Sequence, residues 1–425
     1  MPELSQNSTL WIDRNQIGSD RKIMLFNLAT DGHHPGYIQH LINFWGERGG
    51  PGCLDVVVSP KFMQRHTDIV NLASKYGQDR VNFVPISVAE ETAFFPQSSY
   101  LNRKIYFFQE WKLCRKYAKA LNATHCLLMY FDTLQIPIAF GGKSPCSFSA
   151  IYFRPTFHYD DFEHYKPTWK DRLQQSYEKF LLSLVLRHRQ LKTLLCLDPF
   201  VLKHLNQFNT AANMVYLPDP VEIYNNTSTM PPEKLRHSLG VEADRKVLLL
   251  FGGLNQRKGL HQLLEAVSLL PSNVCQKLCL LLVGPIDSGI ESQVRAKIAH
   301  LSQSLPVQII TCNQFVVDRD IQTYFQLADV ILAPYQRHVG MSAILVRAAA
   351  AQKPVLSSDY GLMGEITRRH QLGLTVDSTV PNEIARGLTE FLLETPEKFC
   401  DRNKMKLLAE QNTVEQFAST IFSYM

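Results

Sequence analysis

The chain has no CxxC pair, no apolar run near the ~20 residues of a membrane span, and no strong excess of either charge. The longest apolar candidate, residues 180–186, is stopped by Arg187-His188-Arg189. Lys and Arg number 44 against 39 Asp and Glu, a net +5 that is too mild to argue for nucleic acid. The nine cysteines are odd in number and scattered, several inside apolar runs (Cys126, Cys196, Cys279). That pattern points away from zinc or iron–sulfur ligation and toward buried, reduced thiols. Residues 1–6 lack the basic and apolar regions of a signal peptide, so the expectation is a cytosolic protein. What remains is 425 residues at 45% hydrophobic, 10% aromatic and 20% charged. This excludes a mainly disordered chain, a collagen-like fibre and a disulfide-stapled miniprotein, and leaves room for two to three domains.

Short apolar runs alternate with amphipathic ones from Lys22 onward. The runs 23–29, 54–59, 81–85, 126–131, 148–153, 193–197 and 214–217 predict strands in the first half. The runs 247–251, 278–283, 307–311, 330–333 and 354–357 predict them in the second. Runs apolar on both faces belong to parallel sheets. Between them lie helical periods, such as Leu260, Leu263, Leu264, Val267 and Leu270. The pattern predicts an α/β protein of doubly wound sheets. The prolines of Leu217-Pro218-Asp219-Pro220-Val221 mark the main boundary, followed by a polar stretch over 225–229. We expect a polar tail over 1–20, a first domain over 21–217, a second over 218–405, and a helix over 406–425 packing back on the first. Residues 1–217 carry 24 basic and 18 acidic side chains, and 218–425 carry 20 and 21. The basic excess of the first half reads as a solvated face, or as recruitment of an anionic acceptor or a weak peripheral membrane contact. The stretch 177–189 has the composition of a peripheral membrane helix, but it precedes a strand, so a crossover helix is the expectation.

Two segments carry phosphate-binding chemistry. In the first, the 247–251 strand runs into Gly252-Gly253 and then Arg257-Lys258-Gly259. Glycines let a backbone approach a ligand, a helix start offers unpaired amides, and two cations add full charge. In the second, Gly340-Met341-Ser342-Ala343 follows the 330–333 strand, with Ser342 as an N-cap and the amides forming an anion nest. Both lie at strand C-terminal ends, where open α/β sheets bind ligands. A plain turn with solvated cations, and ordinary capping, are the bland alternatives.

At this point the sequence resembles the family-4 retaining glycosyltransferases, whose GT-B fold is two facing Rossmann-like domains. Four pieces match in order: 216–221, 251–259, Ala328-Asp329-Val330-Ile331-Leu332-Ala333-Pro334, and 353–361 with Glu365-Ile366. The first half matches in architecture only. The resemblance implies sugar transfer from a nucleotide-diphosphate sugar to an acceptor, with retention and without a metal or other cofactor. It implies donor binding at Gly252, Gly253, Arg257, Lys258, Gly340, Met341 and Ser342, and a base near Phe315. Two departures stand out. The family's paired glutamates, separated by seven residues, are replaced by Val339 and Arg347, and its first-turn arginine by Gly253. Arg347 would favour an anion over a ribose hydroxyl or pair structurally with an acid, and Glu365 is a candidate to compensate or else stabilises the start of its helix. The missing acids keep open a noncatalytic scaffold and a sugar-nucleotide epimerase.

In the first half, the 23–29 strand runs into Thr30-Asp31-Gly32-His33-His34-Pro35-Gly36. Pro35 and Gly36 predict a turn before a helix. Asp31, His33 and His34 are available for hydrogen bonding or proton transfer to an acceptor. Asp132 and Arg154 end later strands on the same acceptor side, where a salt bridge across the sheet edge is the bland alternative for both, and Asp160-Asp161 sits in an aromatic loop. Asp318-Arg319-Asp320 spells a metal-binding DxD, yet it opens a helical period, so capping is the expectation and no metal is predicted. The base, the sugar, the acceptor and the oligomeric state are not written in the sequence.

Overall fold

The central apolar runs become strands because they are buried on both faces between helices, where only backbone pairing satisfies the amides, while the edge runs are partly exposed. The computed structural model describes residues 21–48, 52–77, 79–94, 99–222 and 230–425; the expected tail at 1–20 and the polar stretch at 225–229 lie outside them. Seven strands form the first sheet: β1 (Lys22–Phe26), β2 (Cys53–Val58), β3 (Val81–Pro85), β4 (His125–Leu128), β5 (Ser147–Tyr152), β6 (Leu191–Cys196) and β7 (Asn213–Tyr216). Their order is β3-β2-β1-β4-β5-β6-β7, parallel throughout. Six form the second: β8 (Lys246–Phe251), β9 (Leu278–Val283), β10 (Gln308–Cys312), β11 (Val330–Ala333), β12 (Val355–Ser358) and β13 (Gly373–Val376). Their order is β10-β9-β8-β11-β12-β13, also parallel. Helices cover both faces, as in the predicted α/β class. In the Leu260–Ser268 helix, the periodic leucines and Val267 are all buried.

Strand order reverses between β1 and β4 in one sheet and between β8 and β11 in the other. At such a switch point the following loops diverge to opposite faces and leave a crevice beyond the strand ends. The two crevices face each other.

The chain crosses between the domains twice, at 217–222 and near 412. The crossings clasp one another. Asn412 accepts from the Asp219 amide at 2.9 Å and the Tyr216 hydroxyl at 3.1 Å, and Val221 donates to the Asn412 carbonyl at 3.0 Å. The return falls later than expected. Met405, Leu408 and Ala409 of the Arg402–Gln411 helix bury in the second domain's core. Only the Val414–Ser423 helix crosses, placing Phe417, Ala418 and Ile421 among Ile23, Leu25 and Trp45 of the first. The 157–165 segment also crosses. Tyr159, Phe162 and Tyr165 join the second domain's core, so the aromatic loop beside Asp160-Asp161 buttresses the interface instead of lining an acceptor site.

Candidate active site

The two switch points enclose a cavity of about 640 Å³. One wall comes from the first domain and the linker: His33, Tyr37, Tyr130, Phe153, Arg154, Leu197 and Asp219. The other comes from Arg257 and the 336–343 loop.

On the second-domain wall, Gly252 adopts φ +100°, and a Cβ there would lie 3.1 Å from the Lys258 Nζ. Gly253 faces open space. Asn255 caps the next turn by accepting from the Lys258 amide at 3.3 Å. Lys258 is not the free cation expected from the sequence. Its side chain is buried, and Nζ donates to the Phe251 carbonyl at 2.6 Å and to the Tyr335 hydroxyl. It ties the turn to the end of β11, because a buried ammonium must be hydrogen-bonded. Arg257 takes the cleft position, stacked 5.2 Å over the Tyr335 ring and 3.4 Å from His338 Nδ1. Burial and the Arg257 charge push the His338 pKa down to about 4.

The 340–343 nest also differs from expectation. The Gly340 amide already donates to the buried Tyr159 hydroxyl at 3.2 Å. Gly340 has φ +97°, and a Cβ would sit 2.9 Å from Arg154 Cγ and 3.2 Å from the Phe153 carbonyl. This glycine is required where the two domains touch. Met341 packs into the cores of both domains. Ser342 precedes the Ala343–Ala350 helix without a side-chain cap bond, and its hydroxyl donates to Tyr335 at 3.4 Å. The amides that remain for an anion are those of 341–343.

On the first-domain wall, the helix begins at His34, one residue before Pro35, and runs to Arg48. Proline fits a first helical turn because its missing N–H would be unpaired there. Gly36 lies inside that helix in open space, not in a turn. His33 and His34 stack at 4.4 Å, with Phe153 4.4 Å from His33. Burial, followed by the nearby His34 and Arg154 charges, pushes His33 down to about 3, and burial pushes His34 to about 4. Both are neutral at physiological pH. Asp31 is exposed and paired with Arg65 at 2.9 Å, outside the cavity lining. Asp132 is buried beneath Arg154. It accepts from the Phe153 and Arg154 amides at 3.0 and 2.9 Å, and lies 3.5 Å from the Arg154 guanidinium. Burial raises its pKa. Asp132 therefore positions Arg154, whose guanidinium lies over the Tyr130 ring and donates to its hydroxyl.

Six expected donor residues lie outside this lining: Gly252, Gly253 and Lys258 of the turn, and Glu365, Phe315 and Arg347. Glu365 is buried in the Gly361–Arg369 helix, bonded to Arg368 at 3.2 Å and to Arg369. Two adjacent arginines on its own helix satisfy it, so it does not replace the missing acids. Phe315 is 79% exposed on the loop after β10. Arg347 projects from the Ala343–Ala350 helix toward Asp219 and His40, whose pKa values its charge lowers. The Asp318–Leu327 helix takes Asp318 and Asp320 into its first turn, where they suit the positive dipole end, but its cap is Val317.

Asp219 is the residue that sequence reasoning missed. Among the described residues it is the one carboxylate lining the cavity. Tyr37 donates to its Oδ1 at 2.6 Å. Burial pushes its pKa up to about 6, while the Tyr37 bond and the Arg347 charge hold it down. The sequence signal was available in the linker, but its partners lie 182 and 193 positions away.

Residues 232–413 match the family of glycosyl transferases group 1. A lipopolysaccharide 1,2-N-acetylglucosaminetransferase of Salmonella typhimurium is 27% identical over 168 residues, 38% of this chain and 44% of that protein. A D-inositol 3-phosphate glycosyltransferase of Corynebacterium jeikeium is 26% identical over 179 residues, 41% of this chain and 42% of that protein. The chain thus spans under half the length of these curated relatives. A solved structure of Anabaena Alr3699/HepE with UDP and glucose covers 95% of this chain and 98% of its own, at TM-score 0.61 and 15% identity. A Rickettsia africae glycosyltransferase covers 95% and 97% at TM-score 0.64 and 14% identity. Residues 232–413 thus resemble the glycosyl transferases group 1, in a chain with the two-domain GT-B fold.

Proposed function

We propose that the protein is a cytosolic glycosyltransferase that moves a sugar from a nucleoside diphosphate sugar to an acceptor, with retention of anomeric configuration. The observation that carries this is the cleft itself: Arg154 from one domain and Arg257 and Arg337 from the other converge on one cavity at two facing switch points. An anionic ligand with hydroxyls suits three guanidinium groups and a single carboxylate. The bond from the anomeric carbon to the phosphate oxygen breaks, the acceptor oxygen takes the carbon, and the hydroxyl proton leaves on the departing diphosphate. Guanidinium groups and the 341–343 amides stabilise the charge that develops there, a role that needs no metal. His33 and His34 have pKa values too low for an effective general base at neutral pH and serve as neutral hydrogen-bonding groups toward the acceptor.

Calorimetry with UDP, GDP, ADP and TDP, followed by transfer assays with the matching sugar nucleotides, tests the reading. Binding of one diphosphate and turnover of its sugar form are expected. Binding of none would overturn it. Binding without turnover would favour the scaffold that the missing acid pair suggests, and conversion without an acceptor would favour an epimerase.

A further inference from the structure

Seventeen large apolar side chains are left exposed among the described residues. Seven of them, Tyr100, Leu101, Phe108, Trp169, Leu173, Tyr177 and Phe180, belong to two neighbouring helices of the first domain, Tyr100–Ala120 and Trp169–Val185. On the second helix, Trp169, Leu173, Tyr177 and Phe180 fall within an arc of about 80° at ~100° per residue. The opposite side buries Glu178, Leu182 and Val185 against the sheet. The crossover helix read from the sequence is therefore apolar on both sides, which a solvated helix is not.

Both helices line a second cavity of about 330 Å³, through Lys104 and Phe107 on one and Gln174 and Tyr177 on the other. Tyr100 lies close enough to contribute to the raised Tyr177 pKa. The two exposed stripes are therefore adjacent.

Cations are interleaved with the rings. Lys104 sits 5.2 Å from the Tyr100 ring centre and Lys170 sits 5.6 Å from that of Trp169. Arg103, Arg172 and Lys179 are exposed on the same two helices. Their three acids do not offset this charge. Asp171 caps its helix and meets Arg337 at 3.4 Å, Glu178 is buried, and Glu110 is half-buried. Aromatic rings at the water boundary with lysines and arginines beside them match the interface of a bilayer with negative headgroups.

We infer that the face formed by the Tyr100–Ala120 and Trp169–Val185 helices docks on an anionic lipid bilayer. The surface is continuous with the cleft. Arg154 and Val339 line both the second cavity and the first, so a headgroup entering between the helices reaches the inner wall where Arg154 stands. This goes beyond sugar transfer and holds whether or not any sugar moves.

The test is co-sedimentation of the full chain with vesicles of phosphatidylcholine mixed with phosphatidylglycerol, against pure phosphatidylcholine. Binding to the mixed vesicles, weakening with salt, is expected. Lys170→Glu/Arg172→Glu should weaken it roughly tenfold or more, since each cation near the surface is worth about 1 kcal/mol. Trp169→Ala/Phe180→Ala should also weaken it, while Leu407→Ala, exposed on the second domain, should not. Because the substituted side chains are exposed, thermal melting should be unchanged, and that is measured alongside. No binding to the mixed vesicles, or equal binding by both double variants, would overturn the inference. So would self-association of the chain that Trp169→Ala/Phe180→Ala abolishes without any vesicle binding, which would make the face an interface between copies.

Discussion

The two walls of the cleft solve the same geometric problem with different chemistry. The second-domain wall is Arg257 and the 336–343 loop, with a glycine turn tied down by a buried lysine behind Arg257. The first-domain wall is a cluster of rings, with neutral histidines, Arg154 held from below by Asp132, and Asp219 held by Tyr37. One wall comes from the loops after two strands, β8 and β11. The other is assembled from more, and more distant, segments. The lesson is that a cation beside a glycine turn is not automatically a ligand contact. Of the adjacent pair Arg257 and Lys258, burial leaves one facing the cavity and gives the other to the fold.

That division can be broken most directly at Lys258. Lys258→Ala removes a buried donor and leaves the Phe251 carbonyl and Tyr335 hydroxyl without it, a loss on the order of 2–4 kcal/mol. A clear drop in the chemical-denaturation midpoint is expected. Unchanged stability with lost nucleotide binding would return Lys258 to the ligand. Arg257→Ala should do the reverse. Stability should hold, while diphosphate binding weakens about 10- to 100-fold by calorimetry, the range for a lost charge-assisted bond.

Gly340→Ala probes the contact between the walls. The new Cβ meets Arg154 and Phe153 at a positive φ, so a cost of about 1–3 kcal/mol is expected, relieved by opening the cleft. Small-angle scattering should show a larger radius of gyration than wild type; an unchanged radius with unchanged stability would contradict the close approach.

Asp219→Asn sharpens the comparison on the first-domain side. Asparagine keeps an acceptor for Tyr37 but loses the charge. The folded-state pKa of Asp219 is raised to about 6, so the native state favours the protonated form. Its ionisation therefore costs stability as pH rises from near 4 through 6, and the cost persists above. The variant should melt higher than wild type at pH 8, with little difference at pH 4. If the carboxylate holds ligand hydroxyls, the Km for the sugar nucleotide should rise about tenfold. A variant no more stable at pH 8 would deny the burial penalty, and an unchanged Km would deny the ligand role.

Much of the fold was legible because a buried parallel strand is an uninterrupted apolar run. Twelve of the thirteen strands among the described residues were anticipated. The exception, β13, is a four-residue edge strand that begins with Gly373 and is only partly buried, so it leaves no apolar run to read. The second-domain turn was legible for the same local reason. What was not legible depends on contacts between segments more than a hundred residues apart. Tyr159 takes the Gly340 amide, Tyr37 takes Asp219, and the 157–165 loop enters the other domain's core. No period or spacing encodes such meetings. Glu365 was misread for a simpler reason: its arginine partners lie three and four residues on, an i,i+3 and i,i+4 pattern that could have been noticed.

The smallest expected effect concerns the histidines, and it is read through pH. His33, His34 and His338 all face this cleft or flank it, and burial holds each well below the ordinary imidazole value. In the unfolded chain they titrate near 6.5. As pH falls through that value the unfolded state takes up protons that the native state refuses, so stability drops from about pH 6.5 down toward pH 4. Burial holds His40 and His125 down in the same way, so the loss is shared among several histidines, and the stacked pair of the first-domain wall contributes one part of it. His34→Gln should therefore flatten part of the fall in melting temperature between pH 7 and pH 5 while leaving the pH 8 value nearly unchanged. Charged groups facing the pair include Arg154, which lowers His33 further, so Arg154→Gln should shift the same fall in the same direction by less. An acid profile as steep in His34→Gln as in wild type would mean that the imidazole reaches water before the fold opens, and the dry first-domain wall described above would have to be given up.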